Sequence, residues 1–265
     1  MSEIFGVKRL KTIDDWIEVV TRRHYKQGHS AYECAHRWKN VGSRFPEPIA
    51  SICRKSRLQV LEGMEIKQLY AEFPVWLDTH STPSKNDLMI FAEGPGNRKV
   101  VVAVEAKCDE SFAQPVDTWI RTADKPVPRR QRKLFKGAYG PVERKIRRLK
   151  FLNAILSTDI GAESTVRYQL LHRTASAVLT ARQTYAEAAV VLIQAFTESE
   201  GNFRDFQDFC KLLGFPKIIK NTVIGPYFTA ASPEVPLFLI YFQDRRQGTR
   251  PHDSLFPESS TTQAA

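Results

Sequence analysis

Hydrophobic and polar positions change period along the chain, and the changes mark its elements. Over the first sixty residues the apolar side chains recur at helical spacing. Residues 14–21 open on acids and carry Trp16, Val19 and Val20, which predicts a helix. Ser30 precedes the next periodic stretch and Glu33 stands three residues later, a capping-box arrangement that opens a helix running to Asn40. A third helix is predicted after Pro46 and Pro48, over 49–61.

From Leu69 the period is two. Residues 69–77 place Phe73, Val75 and Leu77 on one side of a strand and Glu72, Trp76 and Asp78 on the other. Residues 79–86 are rich in Ser, Thr, Pro and Asn and read as a turn, 87–92 as a short strand, and 93–98, with Gly-Pro-Gly, as a hairpin turn. Residues 99–107 are a valine-rich strand. A loop with two prolines is predicted over 125–132 and an amphipathic helix over 142–156, with Val142, Ile146, Leu149, Leu152 and Leu156 on one face. A longer helix spans 165–186, a buried strand 187–196, a helix 203–213 and a last strand 235–242.

Hairpin strands followed by a crossover helix predict an α/β fold, a mixed central β-sheet flanked by helices, with extra helices at the N-terminus. Neither a repeat nor a linker interrupts the pattern, so residues 1–247 are expected to form a single domain. The polar, proline-containing residues 248–265 read as a disordered tail.

Composition narrows the function classes. Of 265 residues, 42% are hydrophobic and 26% charged, the balance of a soluble globular protein. The longest apolar runs fall well short of the roughly twenty residues of a membrane span, and the N-terminus lacks a secretory pattern. Cys34, Cys53, Cys108 and Cys210 form no C-x-x-C pair, as in a cytoplasmic protein with reduced thiols. Without H-E-x-x-H, a Walker loop or G-x-S-x-G, the chain shows no sign of a zinc peptidase, P-loop or serine-hydrolase site.

Charge adds a partner. The net charge is +10, and residues 129–150 hold ten basic residues against one acid, Glu143. Arg129, Arg130, Arg132, Lys133, Arg144, Lys145, Arg147 and Arg148 therefore read as a nucleic-acid-binding stretch. The four on the 142–156 helix are expected to form an exposed cationic face. The competing reading is an ordinary solvated helix face.

Candidate chemistry lies on the hairpin. Asp87 opens its first strand; Glu105 and Lys107, two apart, end the second on a common face. Antiparallel pairing brings two carboxylates and an ammonium together at one sheet edge. Asp87 and Glu105, with a backbone carbonyl such as that of Ala106, can hold Mg²⁺ or Mn²⁺ through oxygen ligands. Lys107 can orient a water or stabilise charge on a phosphate. The alternative is an exposed salt bridge at a strand end, worth about 0–1 kcal/mol.

Asn86-Asp87 followed after a hydrophobic hairpin by Glu105-Ala106-Lys107 resembles the motif of the PD-(D/E)XK nuclease superfamily, over roughly residues 33–242. The stretches 84–87, 104–112 and 167–173 resemble, more narrowly, an uncharacterised bacterial group with that core. Asn86 stands where the superfamily motif has proline. The resemblance implies a restriction-endonuclease-like core of αβββαβ order and metal-dependent hydrolysis of phosphodiester bonds, with DNA as partner and room for a homodimer. It also implies a further glutamate upstream, for which Glu33 and Glu72 compete. Gln169 on the following helix would hydrogen-bond Lys107 or the scissile phosphate. His172 and Arg173 lie beside it, His172 reading as part of a polar seam. Asp109 and Glu110 read as turn acids. Two other readings stay open: a non-catalytic nucleic-acid-binding or protein-interaction module on the same fold, and an enzyme for another phosphate-containing substrate.

Overall fold

The computed structural model describes residues 3–5, 9–10, 13–20, 25–78, 82–124 and 140–244. The predicted tail 248–265, the 125–132 loop and, with it, Arg129, Arg130, Arg132 and Lys133 lie outside the described residues. In chain order the elements are β1 (Glu3–Phe5), β2 (Arg9–Leu10), α1 (Ile13–Val20), α2 (Ser30–Trp38), α3 (Glu47–Lys55), β3 (Glu65–Val75), β4 (Ser84–Gly94) and β5 (Arg98–Lys107). They continue with α4 (Val116–Arg121), α5 (Pro141–Leu156), α6 (Tyr168–Gln183), β6 (Ala188–Ala195), α7 (Glu200–Leu212), β7 (Val223–Thr229) and β8 (Ser232–Gln243).

One eight-stranded sheet takes the order β2-β1-β3-β4-β5-β6-β8-β7. Pairing is antiparallel through β3, β4 and β5, then parallel from β5 to β6 and from β6 to β8. The expected α/β class, a mixed sheet flanked by helices, is what the chain adopts. Both faces are covered, which is why the central strands read as near-continuous apolar runs. Val100, Val102, Val104 and Ala106 of β5 pack with Trp16, Trp38 and Ile49 of α1, α2 and α3. Val101 and Ala103 pack with Leu152 and Leu171 of α5 and α6 and with Phe206 of α7. The same alternation puts Glu105 and Lys107 on the α6 side.

Several expectations need correction. The N-cap of α2 is His29, not Ser30, and α3 stops at Lys55, where Arg57 takes a left-handed φ of 57°. The 79–86 turn is shorter than expected, because Ser84 and Lys85 pair with Val75 and Pro74 and extend β4 backwards. The helix expected from 165 begins at Tyr168, because the backbone of Val166 and Tyr168 bonds instead to Val116 and Gln114. Strands β1, β2 and β7 and helix α4 were not foreseen. Among the described residues no helix is long and apolar enough to cross a membrane.

Candidate active site

Three acids stand in a row across adjacent strands. The β4–β5 register pairs Leu88 with Val104, so Asp87, one step further, stands across from Glu105. On the other side Ala71 pairs with Leu88 and Phe73 with Asn86, so Glu72 falls across from Asp87. Neighbouring strands lie about 4.8 Å apart, and like charges set opposite each other repel. The repulsion is met in part by the buried Lys107 and Arg173.

Glu72 reaches the row through an irregular backbone. Its φ is +51° in the middle of β3, a conformation costly for a residue with a Cβ. Before it, Leu69 and Ala71 face the α1–α3 layer; after it, Val75 and Leu77 face the α5–α6 layer. The kink reverses the alternation as a bulge would. The Glu72 carboxylate accepts no hydrogen bond among the described residues. Burial raises its pKa, and Glu105 adds to the rise against the pull of Lys85 and Arg173.

Asp87 accepts a hydrogen bond on Oδ2 from the Ala106 N–H at 2.8 Å. Its Oδ1 lies 3.9 Å from a terminal nitrogen of Arg173. Its pKa is pushed up to about 8, by desolvation first and then by Glu105 and Glu72, against the opposing pull of Arg173 and Lys107. Glu105 is its electrostatic opposite. Burial works against its charge, but Arg173 and Lys107 outweigh burial and hold its pKa below the usual carboxylate range.

Three side chains hold Glu105, which is 2% exposed. Oε1 accepts from Gln169 Nε2 at 2.6 Å and lies 2.9 Å from Lys107 Nζ. Oε2 accepts from Arg173 Nε. Lys107 is buried, its Nζ 5.3 Å from the centre of the Phe112 ring. Desolvation opposes its charge, yet Glu105 and Asp87 hold its pKa above the ordinary lysine value. Gln169 and Arg173 are four apart on α6 and meet Glu105 from one helix face. The start of that helix is tied down: Gln169 Oε1 accepts from the Ala113 N–H at 3.0 Å, and the Tyr168 N–H donates to the Gln114 carbonyl at 3.1 Å.

The family described as a domain of unknown function, DUF6946, matches residues 9–246. The chain belongs to this family. No curated protein and no solved structure matches it. What this DUF6946 chain does must therefore be argued from its own site.

Of the residues singled out from sequence, Asp87, Glu105, Lys107, Glu72 and Gln169 come together. Glu33 does not join them: it lies in the α1–α3 layer, where its Oε1 accepts from the Gly28 N–H at 3.2 Å, ahead of α2. Glu110 closes the turn after β5 by accepting from the Cys108 N–H. Arg173 and Ser84 belong to the site and were missed as members. The signal that marks Arg173 is its i, i+4 spacing from Gln169, which puts both on one face of α6.

The expected cationic face of α5 is largely absent. Arg148 is buried, donating to the Thr82 carbonyl at 3.1 Å and standing 3.4 Å from Asp78. Lys145 donates to the Trp119 carbonyl and lies over the Trp119 ring, 5.1 Å from its centre. Arg147 is exposed but pairs with Glu143 at 3.2 Å, and Arg144 is half-buried. The carbonyls of Trp119 and Thr82 and the Asp78 carboxylate draw Lys145 and Arg148 inward.

The oxygens of Asp87 and Glu72 suit a divalent cation. They are hard ligands, Asp87 Oδ1 and Glu72 accept no hydrogen bond among the described residues, and burial first, then the charge of Glu105, raises both pKa values. Glu105, expected to be the second ligand, instead has both oxygens engaged. Among the described residues no group of three or more His, Cys, Asp and Glu side chains is arranged to hold a metal ion.

Proposed function

We propose that this protein is a divalent-cation-dependent nuclease that hydrolyses phosphodiester bonds of DNA, in the cytoplasm. The observation that carries the reading is the row Glu72–Asp87–Glu105, with the buried cations Lys107 and Arg173 beside it. The αβββαβ element order and the Asp87…Glu105-Ala106-Lys107 motif, which resemble those of PD-(D/E)XK nucleases, support it. Asp87 and Glu72 would hold Mg²⁺ or Mn²⁺, Glu105 contributing through its remaining lone pair. When bound, the cation polarises a phosphate oxygen and makes water nucleophilic at neutral pH.

The chain's own groups divide the remaining work. Lys107 keeps its proton because Glu105 and Asp87 face it, so it serves as a fixed charge toward a phosphate and not as a base. Gln169 holds Glu105 from the side opposite Arg173 and prevents the carboxylate from rotating. Arg144 and Arg147, with the basic residues 129–133, would hold the DNA backbone without reading its sequence.

One observation favours a second reading. A Glu105 already neutralised by Lys107 and Arg173 suits a non-catalytic nucleic-acid-binding module. Purified protein incubated with plasmid, linear duplex, single-stranded DNA and RNA, with Mg²⁺ or Mn²⁺, separates the two. Cation-dependent cleavage that is lost in Asp87→Ala and Lys107→Ala supports the nuclease. A folded wild type that cuts none of the four refutes it in favour of the module.

A further inference from the structure

The space between Glu105 and Asp87 already holds a positive charge that cannot leave. Arg173 is 7% exposed. Its Nε donates to Glu105 Oε2, one terminal nitrogen donates to Ser84 Oγ at 3.1 Å, and the other lies 3.9 Å from Asp87 Oδ1. A guanidinium has no acceptor and keeps its charge at any working pH. Ser84 Oγ must therefore accept from it. The Ser84 hydroxyl proton then goes to His172 Nδ1, 2.8 Å away, its only other partner among the described residues. Ser84 and His172 thus lock the guanidinium from the side opposite Glu105. The imidazole stays neutral, with its own proton on Nε2.

This arrangement limits how many cations the site can take. A pair of catalytic ions sits about 3.5–4 Å apart and needs a carboxylate free to bridge them. Glu105 cannot do so, since Lys107 and Gln169 take one oxygen and Arg173 the other, leaving one lone pair, enough for a single ion. The free oxygen of Asp87, Oδ1, has the Arg173 guanidinium 3.9 Å away, where a second ion would meet a like charge. The geometry points to a one-ion site in which Arg173 is the built-in second positive charge and Ser84 and His172 are its positioning residues. The inference rests on the cation-dependent reading above and deepens it. Arg173 is the element it adds: a side chain doing by fixed charge what a second ion would do, with no ion to bind or release.

Manganese binding tests this without reference to cleavage. Mn²⁺ is titrated into the full chain, free ion is counted by its paramagnetic resonance signal, and the bound spectrum is examined for the lineshape of a coupled pair. The wild type is expected to hold one Mn²⁺ per chain, with no coupled-pair signal. Arg173→Gln, which removes the charge, should either take a second ion or hold the first about tenfold more tightly, because a like charge close to Asp87 is gone. Arg173→Lys should remain at one ion. Two ions in the wild type overturn the inference and leave the nuclease reading standing. So does an Arg173→Gln protein that stays at one ion without tightening. If that variant does not fold, the wild-type count alone decides. A wild type that binds no Mn²⁺ refutes the cation-dependent reading itself, and this inference with it.

Discussion

Replacing Asp87 by Asn should stabilise the metal-free protein, and the gain should depend on pH in a defined way. The amide is nearly isosteric and keeps an oxygen that can accept from the Ala106 N–H. What it removes is a charge facing Glu105 and Glu72 in a desolvated row. A carboxyl whose pKa rises from 3.8 unfolded to about 8 folded is bound to its proton in the native state where the unfolded chain has lost it. Native stability from this group is therefore fully present below pH 4, declines as pH rises, and levels off above about 8. At 1.36 kcal/mol per tenfold, the full rise corresponds to roughly 6 kcal/mol. The Asp87 side chain is 23% exposed, and water screens part of this, so about 2–4 kcal/mol is the working expectation. Loss of the attraction to Arg173 at 3.9 Å subtracts from the gain. Urea denaturation of wild type and Asp87→Asn in EDTA, at intervals from pH 4 to 9, measures the difference. Shifts at Glu105 and His172 affect both proteins and largely cancel. The Asn variant should pull ahead across this window, and Mg²⁺ should close the gap by stabilising only the wild type. A gap that does not change with pH, or an Asn variant less stable than wild type at pH 8, would refute the electrostatic account of the site.

Other perturbations follow from the same contacts. Lys107→Met keeps an apolar stem over Phe112 but leaves Glu105 with only Arg173 and Gln169; stability should fall by about 1–3 kcal/mol, with Mn²⁺ still bound and cleavage gone. Glu72→Gly should be about 1 kcal/mol more stable than Glu72→Ala, since only glycine takes the +51° φ freely, and both should weaken Mn²⁺ binding; equal melting temperatures would argue against the strained backbone. Arg148→Gln should lower the melting temperature by breaking the contacts to Asp78 and Thr82, whereas Arg147→Gln should shift stability by no more than about 0.5 kcal/mol while flattening the salt dependence of DNA binding.

How much of this was legible beforehand depended on how local the cause was. The alternation of β5 was readable because every second residue from Val100 to Ala106 serves one layer and the residues between serve the other. The Gly-Pro-Gly turn then fixed which strand it meets, so Asp87 and Glu105 could be placed together from sequence. Glu72 could be placed on its strand, but nothing local announces a left-handed residue where no glycine stands; the register of β3 against β4 sets it. Arg148 looked like surface because its neighbours on α5 are basic, whereas its partners at 78 and 82 are about seventy residues away in sequence. Strands β1 and β2, of three and two residues, have no period to detect and exist through pairing with β3 and with each other.

Folding alone gives no reason for this row of acids. A sheet buried on both faces gains from apolar side chains at every central position, as Val101, Ala103 and Val191 illustrate. At 72, 87 and 105 the chain instead carries carboxylates on three neighbouring strands, one on a backbone that costs about 1–3 kcal/mol to hold and one with its pKa pushed up to about 8. Against three acids stand, among the described residues, two buried cations, both paired with Glu105, so the imbalance is left on Asp87 and Glu72. The imbalance is directional as well: Glu105 is held on both oxygens, while Asp87 Oδ1 and the Glu72 carboxylate accept no hydrogen bond among the described residues. A purely structural ion-pair network would neutralise its members evenly. One that satisfies a single acid and leaves its two neighbours less compensated is the pattern that the proposed cation would complete.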